Sequence, residues 1–502
     1  MGRDAVFGHY LRDGEVKVLS NIFGLRLVLF HATGVAVSPF WLRTGFQIIG
    51  EQSMYQIFLV ALIATCMISN DSLQSAIENM GAIRSIEFSG NCTHFWLGQG
   101  VSPDTASLRS DLKSVTQTID YDNSVWRSEG VGTQRVWPIQ ILKGDKAWDQ
   151  YGNETIRLSA PDVLDRRMQI WLTPHGFLRG ALAYKATVKN GKVTYTTPTG
   201  HKMIGALSAD HLVEKVETWV DNEVLGDMHV EVVYSDYKDF GGFKFPIRIV
   251  QKQGGHPVLD LTVTDAKSNV SLDVAAPAGA PPTTQVTSVK IADWAWYLTG
   301  GRHHSVALEF ADHLVVVEAP LNEERSNAVI AEVKKLAPGK PIRYLINTHH
   351  HFDHSGGLRA YVAEGATVIT HEINKPFYER TLGAPRTINP DRLAREKRAL
   401  RLSPVGAKRV MMDESRTIEL HHLKDSPHDK GLIVVYLPKE KMLIEVDAYT
   451  PLAVDDPPPT VPPPAAVNLY ENIERLKLDV DRIAPLHGRI VRLEDLKKTI
   501  GK

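Results

Sequence analysis

Cysteine is nearly missing from this chain: Cys66 and Cys92 are the only two in 502 residues. That excludes a disulfide framework and any zinc-thiolate cluster, so metal chemistry must rest on histidine and carboxylate. Apolar runs of membrane-spanning length are missing too. Leu27–Leu42 and Met54–Ser69 carry no Asp, Glu, Lys or Arg, yet each falls short of the roughly 20 residues of a usual span. Neither sign of charge is in surplus. A net charge of -1 gives no basis for a nucleic-acid or anionic-membrane partner. What remains, 43% hydrophobic and 23% charged residues, is ordinary globular composition, and the length calls for two or three domains.

Residues 1–80 read as a hydrophobic extension outside the chemistry. Gly34 and Pro39 weaken the first apolar run as a helix. The second resembles the apolar core of an export signal, but no basic stretch lies just before it. Leu62-Ile63-Ala64-Thr65-Cys66 resembles a bacterial lipoprotein box. The expectation is an export signal or single anchor, with membrane contact through residues 27–69 and a periplasmic or membrane-anchored location. A non-native upstream extension, with the true start near Met54, and a soluble helical hairpin are the alternatives.

Residues 82–275 change character. Ile83–Phe88, Lys192–Thr196, Glu214–Val220, Val230–Tyr234, Lys244–Gln251 and Val258–Val263 alternate apolar and polar residues. Such alternation predicts antiparallel strands with one wet face. Asn190-Gly191 and Gly241-Gly242 are hairpin signals. Leu158–Gln169 and Leu178–Tyr184 read as helices. The whole is a β-rich antiparallel-sheet domain, similar in form to the half-barrels of lipoprotein carriers. His94, His201, His211 and His256 are scattered without ligand spacing. A Pro/Ala linker over 276–285, overlapping the extended-chain composition of Asn269–Thr284, ends the domain.

The next domain spans 286–502. Val289–Leu298, Ser305–Phe310 and His313–Glu318 read as strands, and Asn322–Leu336 as a helix. The apolar strand Ile342–Ile346 then leads into Thr348-His349-His350-His351-Phe352-Asp353-His354-Ser355-Gly356-Gly357. Read as His-x-His-x-Asp-His, this loop offers four metal ligands in six positions. Three imidazoles and a carboxylate suit zinc; a surface histidine tract is the plain alternative. Gly356 and Gly357 let the backbone turn into a helix from Leu358. Three more buried runs place His or Asp at their ends. His428 precedes Leu432–Leu437, Asp447 closes Met442–Asp447, and His487 closes Ile483–His487. A buried Asp is costly unless it meets a cation or donors. The recurrence is hard to reconcile with chance.

In this order the residues resemble the metallo-β-lactamase superfamily. The resemblance implies an α+β multidomain chain whose C-terminal part is a four-layer αββα sandwich. It also implies two metals: the first held by His349, His351 and His428, the second by Asp353, His354 and His487, with Asp447 bridging. His350 would be a spacer. Two zinc ions per chain are expected, with iron or manganese as alternatives. Their shared hydroxide would attack an ester, lactone, amide or phospho- or sulfo-ester bond of a small-molecule substrate, with Asp353 orienting it and passing a proton. Asp447 departs from true β-lactamases, Val446 from glyoxalase-type thioesterases, and His351 from flavodiiron oxidoreductases. A mononuclear-iron redox enzyme of the sulfur dioxygenase type, and a binding or carrier protein with a vestigial metal site, are the rival readings.

Overall fold

The structure, a computed structural model, describes residues 72–132, 137–279 and 283–502. The readings of the two apolar runs lie outside these residues. Among the described residues no helix is long and apolar enough to cross a membrane.

Thirteen described strands, from Ser85–Trp96 to His256–Ser268, form one antiparallel sheet. The chain meanders outward from Ser85–Trp96 to the edge strand Glu154–Arg157. Two helices, Ala160–Trp171 and Pro174–Ala183, carry it to the far edge, and a second meander returns it to His256–Ser268, beside its start. The expected hairpin forms with Asn190 and Gly191 both at positive φ, 51° and 72°, as a type I′ turn demands. The second helix begins where Thr173 accepts a hydrogen bond from the Gly176 N–H, earlier than the apolar pattern predicts. Leu73, Ala76 and Met80, from a helix over 72–80, pack into the same core as the sheet. Five strands between Leu108 and Arg157 carry no clear alternation in the sequence, and the first four of them line a cavity described below.

Beyond residue 286, a seven-stranded and a six-stranded sheet face each other. Val289–Leu298 is not one strand. It is a hairpin of Thr287–Ala292 and Ala295–Thr299, because Asp293 and Trp294 supply the turn. Period-two geometry sorts the apolar side chains. In Leu314–Val317, Val315 and Val317 face the other sheet, while Leu314 and Val316 meet the helices Glu323–Leu336 and Leu358–Glu364. In Ile433–Leu437, Ile433, Val435 and Leu437 point to the shared interior and Val434 and Tyr436 to the helices Pro464–Leu476 and Leu493–Thr499. Both faces of the central strands are therefore covered. The loops at their ends are left to carry polar side chains.

Gly356 and Gly357 act differently from the expectation. Their φ values are -60° and -94°, ordinary for any residue. What they supply is room: a Cβ on Gly356 would lie 1.8 Å from the Leu321 carbonyl oxygen, and one on Gly357 2.0 Å from Ser326 Oγ. The metal-type loop is thereby pressed onto the start of the helix Glu323–Leu336.

Candidate metal centre

The loop 347–351 follows the strand Ile342–Ile346, and a single helical turn, Phe352–Ser355, completes it. Its backbone is fixed by buried neighbours. Asn347 Nδ2 donates to the His354 carbonyl at 3.2 Å, and the Tyr378 hydroxyl donates to Asn347 Oδ1 at 2.5 Å. Glu318, fully buried at φ 71°, accepts the Thr348 N–H at 2.6 Å through Oε1 and faces His354 Nδ1 at 3.4 Å through Oε2. The loop thus presents its imidazoles from a rigid frame.

Two clusters result. His349, His351, His428 and Asp447 each bring one ligand atom within 4.8 Å of the others, and so do His303, Asp353, His354 and His487. Asp447 joins the two. Its Oδ2 lies 3.3 Å from His349 Nε2 and 3.0 Å from both His354 Nε2 and His428 Nε2, while Oδ1 lies 3.0 Å from His487 Nε2. Asp447 follows the strand Met442–Glu445 with φ 58°, a left-handed conformation that Asp tolerates better than most residues. Glu445 holds that turn by accepting the Ala448 and Tyr449 N–H groups, both at 3.1 Å.

The second ring nitrogens decide which nitrogen is free. A carbonyl only accepts, so the Arg302 carbonyl, 2.8 Å from His487 Nδ1, puts the proton there and leaves Nε2 as a lone pair facing the cluster. The Gly100 carbonyl does the same for His351 at Nε2, 2.9 Å away. His351 Nδ1 is then buried without a hydrogen-bond partner among the described residues. A buried, unpaired acceptor is costly, and a metal ion satisfies it. His354 Nε2 and His487 Nε2 sit 3.1 Å apart, and His349 Nε2 and His428 Nε2 3.4 Å. Nitrogens converging this closely need a cation between them or a shared proton. The donor set therefore fits two dications, with no thiolate in it.

The electrostatics agree. Burial, then the neighbouring His349 and His428, push His351 down to about 2, so its imidazole is neutral. Burial likewise keeps His349 neutral. Burial opposes the imidazolium of His354, yet the charge of Asp447 and its contacts with Asp447, Glu318 and Asp353 hold its pKa well above the ordinary value. A metal ion would take that proton's place. Burial disfavours the Asp353 carboxylate, but the His303 hydrogen bond and the charge of His354 outweigh it, and its pKa is lowered.

Three participants escaped the sequence reading. His303 Nε2 lies 3.2 Å from Asp353 Oδ2. It stands just before the strand Ser305–Glu309, outside the histidine-rich loop and with no second ligand-type residue in a recognisable spacing. Gln99 Nε2 donates to Asp353 Oδ1 at 2.6 Å. Gln99 and Gly100 both belong to the loop after Ser85–Trp96, in the thirteen-stranded sheet. Gly98, at φ 73°, seats that loop on Phe352, whose Cδ1 lies 2.1 Å from where a Cβ would be.

His350 belongs to neither of these clusters; with His351 and Asp429 it forms a third His/Asp group. Its Nδ1 pairs with Asp429 Oδ2 at 2.5 Å, and Asp429 is fully buried. His350→Ala is expected to leave metal content unchanged and to cost about 2–4 kcal/mol in stability, by stranding a buried carboxylate. Elemental analysis and chemical denaturation check this. Metal loss matching that of His428→Ala would contradict it.

Residues 298–487 match the family model described as the metallo-beta-lactamase superfamily. His303, Glu318 and the seven residues expected as ligands fall inside that span; Gln99 and Gly100 fall outside it. No curated protein matches the chain. A solved metallo-beta-lactamase from Pontibacter korlensis is 16% identical, covering 43% of this chain and 98% of its own, with a TM-score of 0.34. One from Hirschia baltica is 23% identical over 43% of this chain and 96% of its own, with a TM-score of 0.32.

Proposed function

We propose that this C-terminal region of the metallo-beta-lactamase superfamily is a four-layer αββα catalytic domain. It hydrolyses an ester, lactone, amide or phospho- or sulfo-ester bond of a small molecule, using two zinc ions. The observation that carries this reading is the pair of clusters sharing Asp447. His349, His351 and His428 would hold one ion and Asp353, His354 and His487 the other, with Asp447 between them. His303 stands beside the second group as a further nitrogen donor. When bound, two such ions supply Lewis-acid polarisation and water that ionises near neutral pH.

The chain's own residues supply position and proton handling. Asp353 is among the more exposed members of the site, with 37% of its side chain open to solvent. Gln99 fixes its Oδ1 and His303 its Oδ2. A carboxylate held from both sides can orient a water molecule at the open edge and take up or release its proton there. Glu318, through His354 and the Thr348 N–H, keeps the second group's imidazole turned toward that water.

Protein purified without chelator should contain about two zinc per chain. Chelation should abolish hydrolysis in a screen of ester, lactone, β-lactam, phosphodiester and sulfate substrates, and added zinc should restore it. One iron and no zinc per chain, with no hydrolysis of any substrate, would defeat the proposal.

A further inference from the structure

Beside the metal centre, the thirteen-stranded sheet encloses a cavity of about 610 Å³, the size of a small-molecule site. Two independent contacts place it next to the metal clusters. Leu97 lines the cavity, and Gln99, two residues on, touches Asp353. Two extended residues reach about 7 Å at most. Tyr151 lines it too and lies under the Arg302 guanidinium, 5.6 Å from the ring centre. The Arg302 carbonyl holds His487.

The wall has an unusual composition. Strand register sets Ile119, Trp126, Leu142 and Ala147 side by side as one buried apolar row. Two residues along, on the same face, the row reads Gln117, Ser128, Gln140 and Asp149, all lining the cavity. Asp149 is paired with Arg166 at 2.8 Å. The Gln117, Ser128 and Gln140 side chains make no hydrogen bond to another described residue. A line of unpaired amides and hydroxyls facing a cavity, beside a buried apolar row, is suited to hold a ligand with polar and apolar sides. Trp96, Trp137 and Val115 add an aromatic, apolar patch, while Asp165, Gln169 and Gln251 bring further polar groups to the lining.

We propose that this cavity is the chamber for the non-reacting part of the substrate. It would take an uncharged, ring-bearing group, apolar on one side and carrying hydrogen-bonding oxygens on the other. The reacting bond would then lie toward Asp353. This rests on the hydrolase reading for its chemistry, while the binding role stands on the cavity alone.

The test uses the full-length, metal-loaded protein. Gln117→Trp fills the chamber from one strand, and Gln140→Trp, from a different strand, serves if the first variant fails to fold. The ratio of kcat/KM for 2-naphthyl acetate to that for methyl acetate should fall at least tenfold, mainly through KM for the naphthyl ester. Metal content should stay at the wild-type value. A ratio unchanged within twofold would overturn the proposal. Calorimetry with 2-naphthol separates the two readings. Saturable one-to-one binding by the wild type that the filled variant loses supports the chamber even if neither ester is cleaved, in which case only the hydrolase reading fails. Absence of saturable binding to the wild type would overturn the chamber.

Discussion

Asp447→Ala should reduce bound metal from about two ions per chain to fewer than one, a larger loss than any single histidine change. Its two oxygens reach both clusters, with contacts of 3.0 Å to His354, His428 and His487. His428→Ala and His487→Ala each remove a donor from one cluster and should leave about one ion. Removing Asp447 also leaves two dications facing each other with less negative charge between them. At about 4 Å and an effective dielectric of about 20, their repulsion is on the order of 15 kcal/mol. Asp447→Asn separates charge from shape, since Asn also accepts the left-handed backbone found here. It should fold as the parent does and still lose metal. Elemental analysis on variants shown to be folded by circular dichroism decides the matter. An Asp447→Ala protein that keeps both ions would remove Asp447 from the centre.

The second large effect concerns the thirteen-stranded sheet. Partners that fix the second nitrogen of a ligating imidazole are worth about 10- to 100-fold in metal affinity. One of them here is the Gly100 carbonyl on His351, and Gln99 plays the matching part for Asp353. A fragment beginning at residue 283 keeps all seven proposed ligands and both of its sheets but loses these two contacts. Competition with a chromophoric chelator should show its affinity reduced by that factor. Gln99→Ala in the full chain should weaken the Asp353 cluster alone, by about tenfold. If the fragment folds and matches the full chain in affinity, the contacts across to the first sheet are packing and nothing more.

The parts of this centre that could be read from the sequence are those written in short spacing. His349, His351, Asp353 and His354 lie within one loop, and His428, Asp447 and His487 each sit at the end of an apolar run. His303, Gln99 and Gly100 reach the same loop across separations of 50, 254 and 251 residues. No local pattern encodes such a contact. The strands from Leu108 to Arg157 were hidden for a related reason. Alternation is legible only where one face is apolar throughout, and here the inner face carries Gln117, Ser128 and Gln140. A cavity wall with polar side chains on both faces reads as loop. The glycine pair after the metal-type loop serves through its missing side chains and not through a turn, and only the packed structure reveals that.

The Gly100–His351 contact also orders events during synthesis. Gly100 is made 251 residues before His351, and the sheet that bears it receives its last strand, His256–Ser268, before that loop. Domains tend to fold as units from the N-terminal end. The acceptor that sets the His351 tautomer is therefore in place when the histidine loop emerges. The last ligand, His487, arrives 133 residues after its partner His354. Under the proposed two-metal reading, metal capture would fall at the end of folding, as a latch on a scaffold already built rather than the nucleus around which it forms.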